Sequence, residues 1–137
     1  MSWQDYVKDN LIGSGDVSQA AIIGLDGSEW ATSAGFQVVG AEAQKVVSAF
    51  GDSRDPKSPG YAGALEAAAN GIYINGKKYV VFRTSEATVQ ARLGATGVHC
   101  VKTNMCILIG YYDENIQANK CSLTVEKLGD YLRGVGY

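Results

Sequence analysis

The chain has 137 residues, of which 46% are hydrophobic and 19% are charged, and its formal net charge is −2. This composition predicts one packed domain over residues 1–137 and excludes a disordered or fibrous protein. The small negative charge argues against nucleic-acid binding, which needs a basic surface. The longest apolar stretch, 105–110, is far shorter than the roughly 20 residues of a spanning helix, and there is no signal-peptide pattern, so we expect a cytoplasmic protein.

The first predicted element is a helix over about residues 3–12. Ser2 suits its N-cap because a hydroxyl can accept a hydrogen bond from a first-turn amide. Tyr6 lies on the flank of the helix and is expected to be half exposed, while "GSGD" at 13–16 ends it. The apolar stripe at helical spacing is formed by Trp3, Val7 and Leu11.

A hairpin is predicted next, with strands at 20–25 and 29–33 around a "DGS" turn, which places Trp30 on the second strand. Good helix formers at 41–50 predict a helix. Its apolar residues at helical spacing are Ala43, Val46, Val47 and Phe50.

A surface loop is predicted at 51–61, which contains both prolines and four charges. "AGALEAAA" adds a short helix after it. The second half of the chain is predicted mostly as β structure: a hairpin at 71–83 centred on Asn75-Gly76 and further strands in "TVQARL", "GVHCVKT" and "MCILIGYY".

A last helix is predicted from about residue 120, with Tyr131 at the edge of its apolar stripe. The stripe itself is formed by Val125, Leu128, Leu132 and Val135. The expected fold class is therefore α+β: a central antiparallel sheet of six to seven strands, with the N- and C-terminal helices together on one face and the shorter helices on the other.

Catalytic and metal-binding patterns are missing from the sequence. His99 is the only histidine, and Cys100 beside it would point to the opposite face of a strand. The other cysteines, Cys106 and Cys121, are too scattered for a zinc site, so all three are expected to be buried free thiols. We expect no enzyme activity, no metal and no cofactor.

Five aromatic residues are expected to meet if the two terminal helices pack side by side: Trp3, Tyr6, Trp30, Tyr131 and Tyr137. Flat rings with a polar edge suit a proline-rich peptide, because its preformed extended helix stacks on aromatics while Trp N–H and Tyr O–H groups reach its carbonyls. The alternative is that the rings only pack the interface between the helices.

The chain resembles the profilin family nearly end to end. The resemblance is carried by "SWQDYV" at 2–7, "QAAIIGLDGSEWATSAGF" at 19–36, "VKTNMCILIGYYDE" at 101–114 and "VEKLGDYLRGVGY" at 125–137. It implies a monomeric, cytoskeleton-associated protein that binds monomeric actin and proline-rich proteins. The polyproline groove that it implies comprises the five aromatic residues, with Leu132 adjoining.

The resemblance also implies an actin-binding surface at Lys78, Val80, Val81, Arg83, Arg92, Lys102, Thr103, Asn104, Asn119, Glu126 and Lys127. Regular alternation places Lys78 and Val80 on the face opposite Val81 and Arg83, so all four contact one partner only at an edge or a bulge. Phosphoinositide lipids are a further, weak partner that the resemblance implies, through Lys77, Lys78, Arg83, Arg92 and Lys102.

The function that the resemblance implies is regulation of actin polymerisation, with faster nucleotide exchange on actin. Two alternatives stay open. The first is an adaptor that binds proline-rich segments without actin, and the second is a small-ligand sensor or enzyme on the same sheet scaffold.

Overall fold

The computed structural model describes residues 2–137. Seven antiparallel strands form one sheet in the spatial order β2-β1-β7-β6-β5-β4-β3. The strands are β1 (Gln19–Gly24), β2 (Glu29–Thr32), β3 (Ile72–Ile74), β4 (Lys77–Thr84), β5 (Thr88–Leu93), β6 (Thr96–Lys102) and β7 (Cys106–Tyr112). The helices are α1 (Trp3–Asp5), α2 (Gly40–Ser48), α3 (Tyr61–Asn70) and α4 (Ala118–Gly134). The predicted α+β class and strand number are confirmed.

The N-terminal helix is less regular than the predicted helix over 3–12. After α1 it continues as π-helical turns at Tyr6–Leu11 and a 3₁₀ turn at Ile12–Ser14. Ser2 is the N-cap, and its hydroxyl accepts from the Asp5 amide at 3.1 Å while the Asp5 carboxylate accepts from the Ser2 amide at 3.2 Å. This reciprocal pair satisfies two otherwise unpaired amides and starts the helix at Trp3.

Side chains alternate between the two faces of the sheet, and each face has its own core. The first core lies under α2 and α3 and contains Ala21, Ile23, Val81, Ala91, Cys100 and Ile109. Phe50 belongs to it although α2 ends at Ser48. The second core lies under the N-terminal helix and α4 and contains Val7, Leu11, Ile22, Val101, Leu108, Val125 and Leu132. The predicted placement of the terminal helices on one face is confirmed.

Close packing of α4 on the sheet requires a small residue in β7. A Cβ atom at Gly110 would stand 2.5 Å from Cγ2 of Val125, so any larger residue would push the helix away. The predicted apolar stripe of this helix ends one turn early, because Val135 lies beyond the last helical residue and is exposed. The helix also begins at Ala118, slightly before the predicted start.

The three cysteines are free and buried, as expected. Burial raises the pKa of the Cys121 thiol to about 12, so it stays protonated and inert at neutral pH. Within residues 2–137, none of the helices has the length and apolar character needed to cross a membrane.

Candidate functional site

The five predicted aromatic residues form one cluster in which Trp3 is central. The Trp3 ring centroid lies 4.7 Å from that of Trp30, 5.2 Å from that of Tyr137 and 5.6 Å from that of Tyr6. Tyr131 extends the cluster through Tyr6, at 6.3 Å between centroids. These spacings are those of favourable tilted and edge-to-face aromatic pairs, so the rings support one another.

Trp3 and Trp30 meet because α1 is tied to β2. The side-chain amide of Gln4 donates to the Thr32 carbonyl at 2.9 Å, which holds the first helical turn against the second strand. Gly24 on the neighbouring strand leaves room for the indole, since a Cβ atom there would stand 2.8 Å from Nε1 of Trp30. The two indoles are therefore placed by backbone contacts as well as by their own packing.

Tyr137 is held in the cluster by three hydrogen bonds to its main chain. Its oxygen accepts from Oγ1 of Thr103 and from the amide of Met105, both at 2.7 Å. Its amide donates to the Leu132 carbonyl at 2.8 Å. Thr103 also accepts from the Cys106 amide at 3.2 Å, so one buried hydroxyl links the β6–β7 turn to the end of the chain.

The cluster is open to solvent on one side. Tyr131 is 54% exposed and Tyr137 is also exposed, while Trp3, Tyr6 and Trp30 are half-buried. Burial, together with a hydrogen bond to Tyr131, raises the pKa of the Tyr6 hydroxyl. The cluster therefore presents ring faces and phenol groups, and we call it the aromatic groove.

One residue predicted for the aromatic groove is placed elsewhere. Leu132 is fully buried in the core beneath α4, because it occupies the inward stripe of that helix. It supports the groove from below and cannot contact a ligand. Beside Tyr6 and Tyr131 the groove continues into a depression of about 700 Å³ lined by Asp9, Asn10, Ser14, Asp16, Thr124, Lys127 and Leu128.

A second surface lies on the same face of the sheet, where β4 and β5 extend beyond α4. A bulge in β4 interrupts the regular alternation that would place Arg83 on the face opposite Val80. Val80 pairs with Arg92, and Arg83 pairs with Gln90, so Phe82 is the extra residue. Because directly paired residues share a face, the bulge brings Arg83 to the same side as Val80 and Arg92. We call this region the β4–β5 surface.

The β4–β5 surface has an apolar centre with charged neighbours. Val80 is 64% exposed and Phe82 is also largely exposed. The guanidinium of Arg92 lies 5.2 Å above the Phe82 ring, a cation–π arrangement. Tyr73, 50% exposed and paired with Lys78, continues the same side on β3. Phe82 and Tyr73 are not among the surface residues predicted from the sequence, although each is a large apolar side chain close in sequence to predicted contact residues.

A polar network joins the β4–β5 surface to α4. His99 lies 3.2 Å from Oε1 of Glu126 through Nε2 and 3.0 Å from Nε2 of Gln90 through Nδ1. Oγ1 of Thr88 donates to the same Glu126 oxygen at 3.1 Å. His99 and Cys100 point to opposite faces, as predicted. The network fixes the predicted contact residue Glu126 against the sheet.

Several residues predicted to bind actin do not lie on the β4–β5 surface. Val81 is buried under α2 and α3, since the bulge begins only after it. Thr103 is buried beside the Tyr137 main chain, and its hydroxyl donates to the Tyr137 oxygen. Lys127 is on the other flank of α4, in the depression beside Tyr6. Asn104 is exposed in the β6–β7 turn. Asn119 lies on the flank of α4 that faces β5, one helical turn before Ser122, whose hydroxyl accepts from the Gln90 carboxamide.

The five basic residues predicted for phosphoinositides are divided between the two faces. Lys78, Arg83 and Arg92 lie on the β4–β5 surface. Lys77 pairs with Ile74, and Lys102 pairs with Ile107. Because both isoleucines point into the first core, the two lysines belong to that face, opposite the β4–β5 surface. The predicted set is therefore not one continuous patch.

Elsewhere, a cavity of about 380 Å³ lies between α2, α3 and β3, on the opposite face of the sheet. An ion pair between Lys45 and Glu66, at 2.6 Å, bridges the two helices there. In the part of the chain that the structure describes, no three His, Cys, Asp or Glu side chains are grouped so that they could hold a metal ion.

Comparison with known proteins agrees with this architecture. Profilin-1A of Acanthamoeba castellanii is 45% identical to this chain over 137 residues, the whole of both proteins. The crystal structure of Acanthamoeba castellanii profilin II superposes with a TM-score of 0.88 at 45% identity, covering 99% of this chain and 100% of that one. Mouse profilin IIa, solved in complex with a double repeat from the FH1 domain of mDia1, matches in fold with a TM-score of 0.74 at 23% identity over the whole of both chains.

The profilin family model matches residues 1–137. Since the match spans the whole chain and the sheet order, helix placement and curated relatives agree with it, this chain belongs to the profilin family.

Proposed function

We propose that this chain binds monomeric actin on the β4–β5 surface and proline-rich segments in the aromatic groove, and so regulates actin polymerisation in the cytoplasm. The observation that carries the proposal is the assembly of rings from both ends of the chain into one exposed cluster. Rings serving only to pack two helices would be sealed from solvent, whereas Tyr131 is 54% exposed.

The aromatic groove suits an extended proline-rich segment. Pyrrolidine rings stack on aromatic faces, and the extended polyproline helix loses little entropy on binding because it is already ordered. The exposed phenol groups of Tyr131 and Tyr137 are hydrogen-bond donors for peptide carbonyls. The mouse relative's complex with an FH1 repeat supports a peptide-binding role for this scaffold.

The β4–β5 surface suits a protein partner. Exposed Val80 and Phe82 form an apolar centre, and Arg83, Arg92 and Glu126 surround it with charge. An apolar centre with a polar rim is the usual anatomy of a protein–protein interface. We propose that actin binds here and that binding favours a more open form of the actin nucleotide cleft, which speeds nucleotide exchange without covalent chemistry.

Phosphoinositide binding is a weaker part of the proposal. Lys78, Arg83 and Arg92 share the β4–β5 surface, and each basic residue near an anionic membrane contributes about 1 kcal/mol. Such lipids would compete with actin because they would use the same surface. The aromatic groove would stay free, so a proline-rich ligand and a lipid would bind together.

The groove is tested by titrating the protein with polyproline and following tryptophan fluorescence. Tyr131→Ala should weaken binding by about 1–3 kcal/mol, as loss of an aromatic hot spot does. Tyr73→Ala is the matched control, since it removes an equally exposed tyrosine from β3, far from the groove. Absence of a fluorescence change, or equal losses in the two variants, would contradict the groove assignment.

The second surface is tested by pyrene-actin polymerisation. The unmodified chain should slow spontaneous assembly, and Val80→Glu should abolish that effect because it buries a charge at the centre of the interface. Leu65→Glu is the control, an exposed apolar residue on α3 across the sheet. Polyproline binding without any effect on actin would make the chain an adaptor only.

A further inference from the structure

We propose that His99 is a positioning residue for the β4–β5 surface: its buried imidazole holds the Glu126 carboxylate and the Gln90 carboxamide in one fixed arrangement where the partner docks. This proposal rests on the function proposed above. It adds a residue that no partner would touch, since His99 is only 3% exposed.

The geometry places the imidazole between two side chains that reach the surface. Nε2 lies 3.2 Å from Oε1 of Glu126, and Nδ1 lies 3.0 Å from Nε2 of Gln90. Glu126 belongs to α4 and Gln90 to β5, while His99 itself is on β6. One side chain in the middle of the sheet therefore connects the helix to the next strand.

Hydrogen-bond chemistry allows only one neutral arrangement of this network. A carboxylate only accepts, so Nε2 of His99 must carry the proton and donate to Glu126. In a neutral imidazole the other nitrogen is then an acceptor, so Gln90 must turn its NH₂ group toward Nδ1. The carbonyl end of the Gln90 carboxamide is thereby left for a donor from outside the network.

The neutral imidazole is also what the surroundings favour. Burial lowers the pKa of His99 below its ordinary value, and the positive charge of Arg83 acts in the same direction, while the Glu126 carboxylate opposes them. Protonation would place an N–H on Nδ1 against the NH₂ group of Gln90 and force that carboxamide to turn around. A neutral His99 thus determines which hydrogen-bonding groups the surface presents.

The functional consequence is preorganisation. Glu126 has its carboxylate held by two donors, His99 and Thr88, before any partner arrives. A side chain that is already ordered loses less entropy when a partner binds, so the held carboxylate gives higher affinity than a free one. The effect of His99 on binding should therefore pass through Glu126.

The first experiment examines the free protein by ¹⁵N NMR of the imidazole ring at pH 7. We expect a neutral ring protonated at Nε2, with Nδ1 showing the shift of an acceptor. A ring protonated at Nδ1, or a charged imidazolium, would overturn the proposal. This measurement uses no actin and needs no variant, so it decides the hydrogen-bond arrangement even if the function proposed above is wrong.

The second experiment is a double-mutant cycle on actin affinity, with His99→Leu and Glu126→Ala. We expect His99→Leu to weaken actin binding about three- to tenfold and to add nothing in the presence of Glu126→Ala, while polyproline affinity stays unchanged. Full additivity, or an unchanged actin affinity in a folded His99→Leu protein, would overturn the proposal. Failure of the unmodified chain to bind actin would instead refute the function.

His99→Gln is the second variant should His99→Leu not fold. Its carboxamide can supply one donor to Glu126, so we expect a smaller loss of actin affinity than Glu126→Ala causes. A loss as large as that of Glu126→Ala would overturn the positioning role, because the restored donor would then have no effect.

Discussion

Thr103 offers the sharpest test of how the aromatic groove is held together. Its Oγ1 donates to the Tyr137 main-chain oxygen at 2.7 Å and accepts from the Cys106 amide at 3.2 Å. Thr103→Val keeps the shape of the side chain and removes both hydrogen bonds. At about 1 kcal/mol each, we expect the free energy of unfolding to fall by about 2 kcal/mol.

Polyproline binding should weaken as well, although Thr103 is buried and cannot contact a peptide. Tyr137 keeps its bonds to Met105 and Leu132, so its ring is loosened and not released. We expect a loss of about 1 kcal/mol, or roughly fivefold in Kd, measured by tryptophan fluorescence titration. Thr103→Ser retains the hydroxyl and should keep the affinity. Unchanged affinity in Thr103→Val, or the same loss in both variants, would refute the reasoning.

Three further predictions concern stability, each measured by denaturant unfolding. Gly63→Ala should lower the free energy of unfolding by more than about 3 kcal/mol, because the added Cβ would overlap the Ser48 carbonyl between α3 and α2. Gly134→Ala has open space around the added Cβ and should instead stabilise α4 by about 0.5–1 kcal/mol. Similar effects of the two substitutions would contradict this packing. Ser2→Ala should cost about 1 kcal/mol by removing the cap of α1, and no change would mean that the cap is dispensable. The free energy of unfolding should fall as pH drops below the ordinary histidine pKa of 6.5, because His99 takes up a proton in the unfolded chain but stays neutral when buried in the folded one. It should level off below the lowered pKa of folded His99. His99→Gln should remove this pH dependence, and its persistence would assign the effect to another group.

Local signals predicted the elements of this fold well. The Asn75-Gly76 pair predicts a tight hairpin because both residues tolerate positive φ, and they adopt 52° and 79°. Ser2 was recognisable as a cap from its hydroxyl and its position before an apolar stripe. The placement of the two terminal helices on one face follows because both have an apolar side that only the sheet can cover.

Features set by long-range contacts were not predictable. The bulge at Phe82 changes which residues share a face, and although an edge or a bulge is expected in β4, its alternating pattern does not show where the bulge lies. Thr103 has an ordinary strand-end sequence, and its role depends on Tyr137, which only folding brings near. Leu132 shows the limit of carrying a site over by resemblance: its place in the apolar stripe of α4 already implied burial.

The placement of Trp3 and Tyr137 in direct contact has a consequence for synthesis of the protein. A chain emerging from the ribosome presents its first indole long before the residues that complete the cluster are made, so the full ring set arises only when folding is finished. A ligand that requires all five rings would therefore distinguish mature molecules from nascent or truncated ones, and its binding would stabilise only the former.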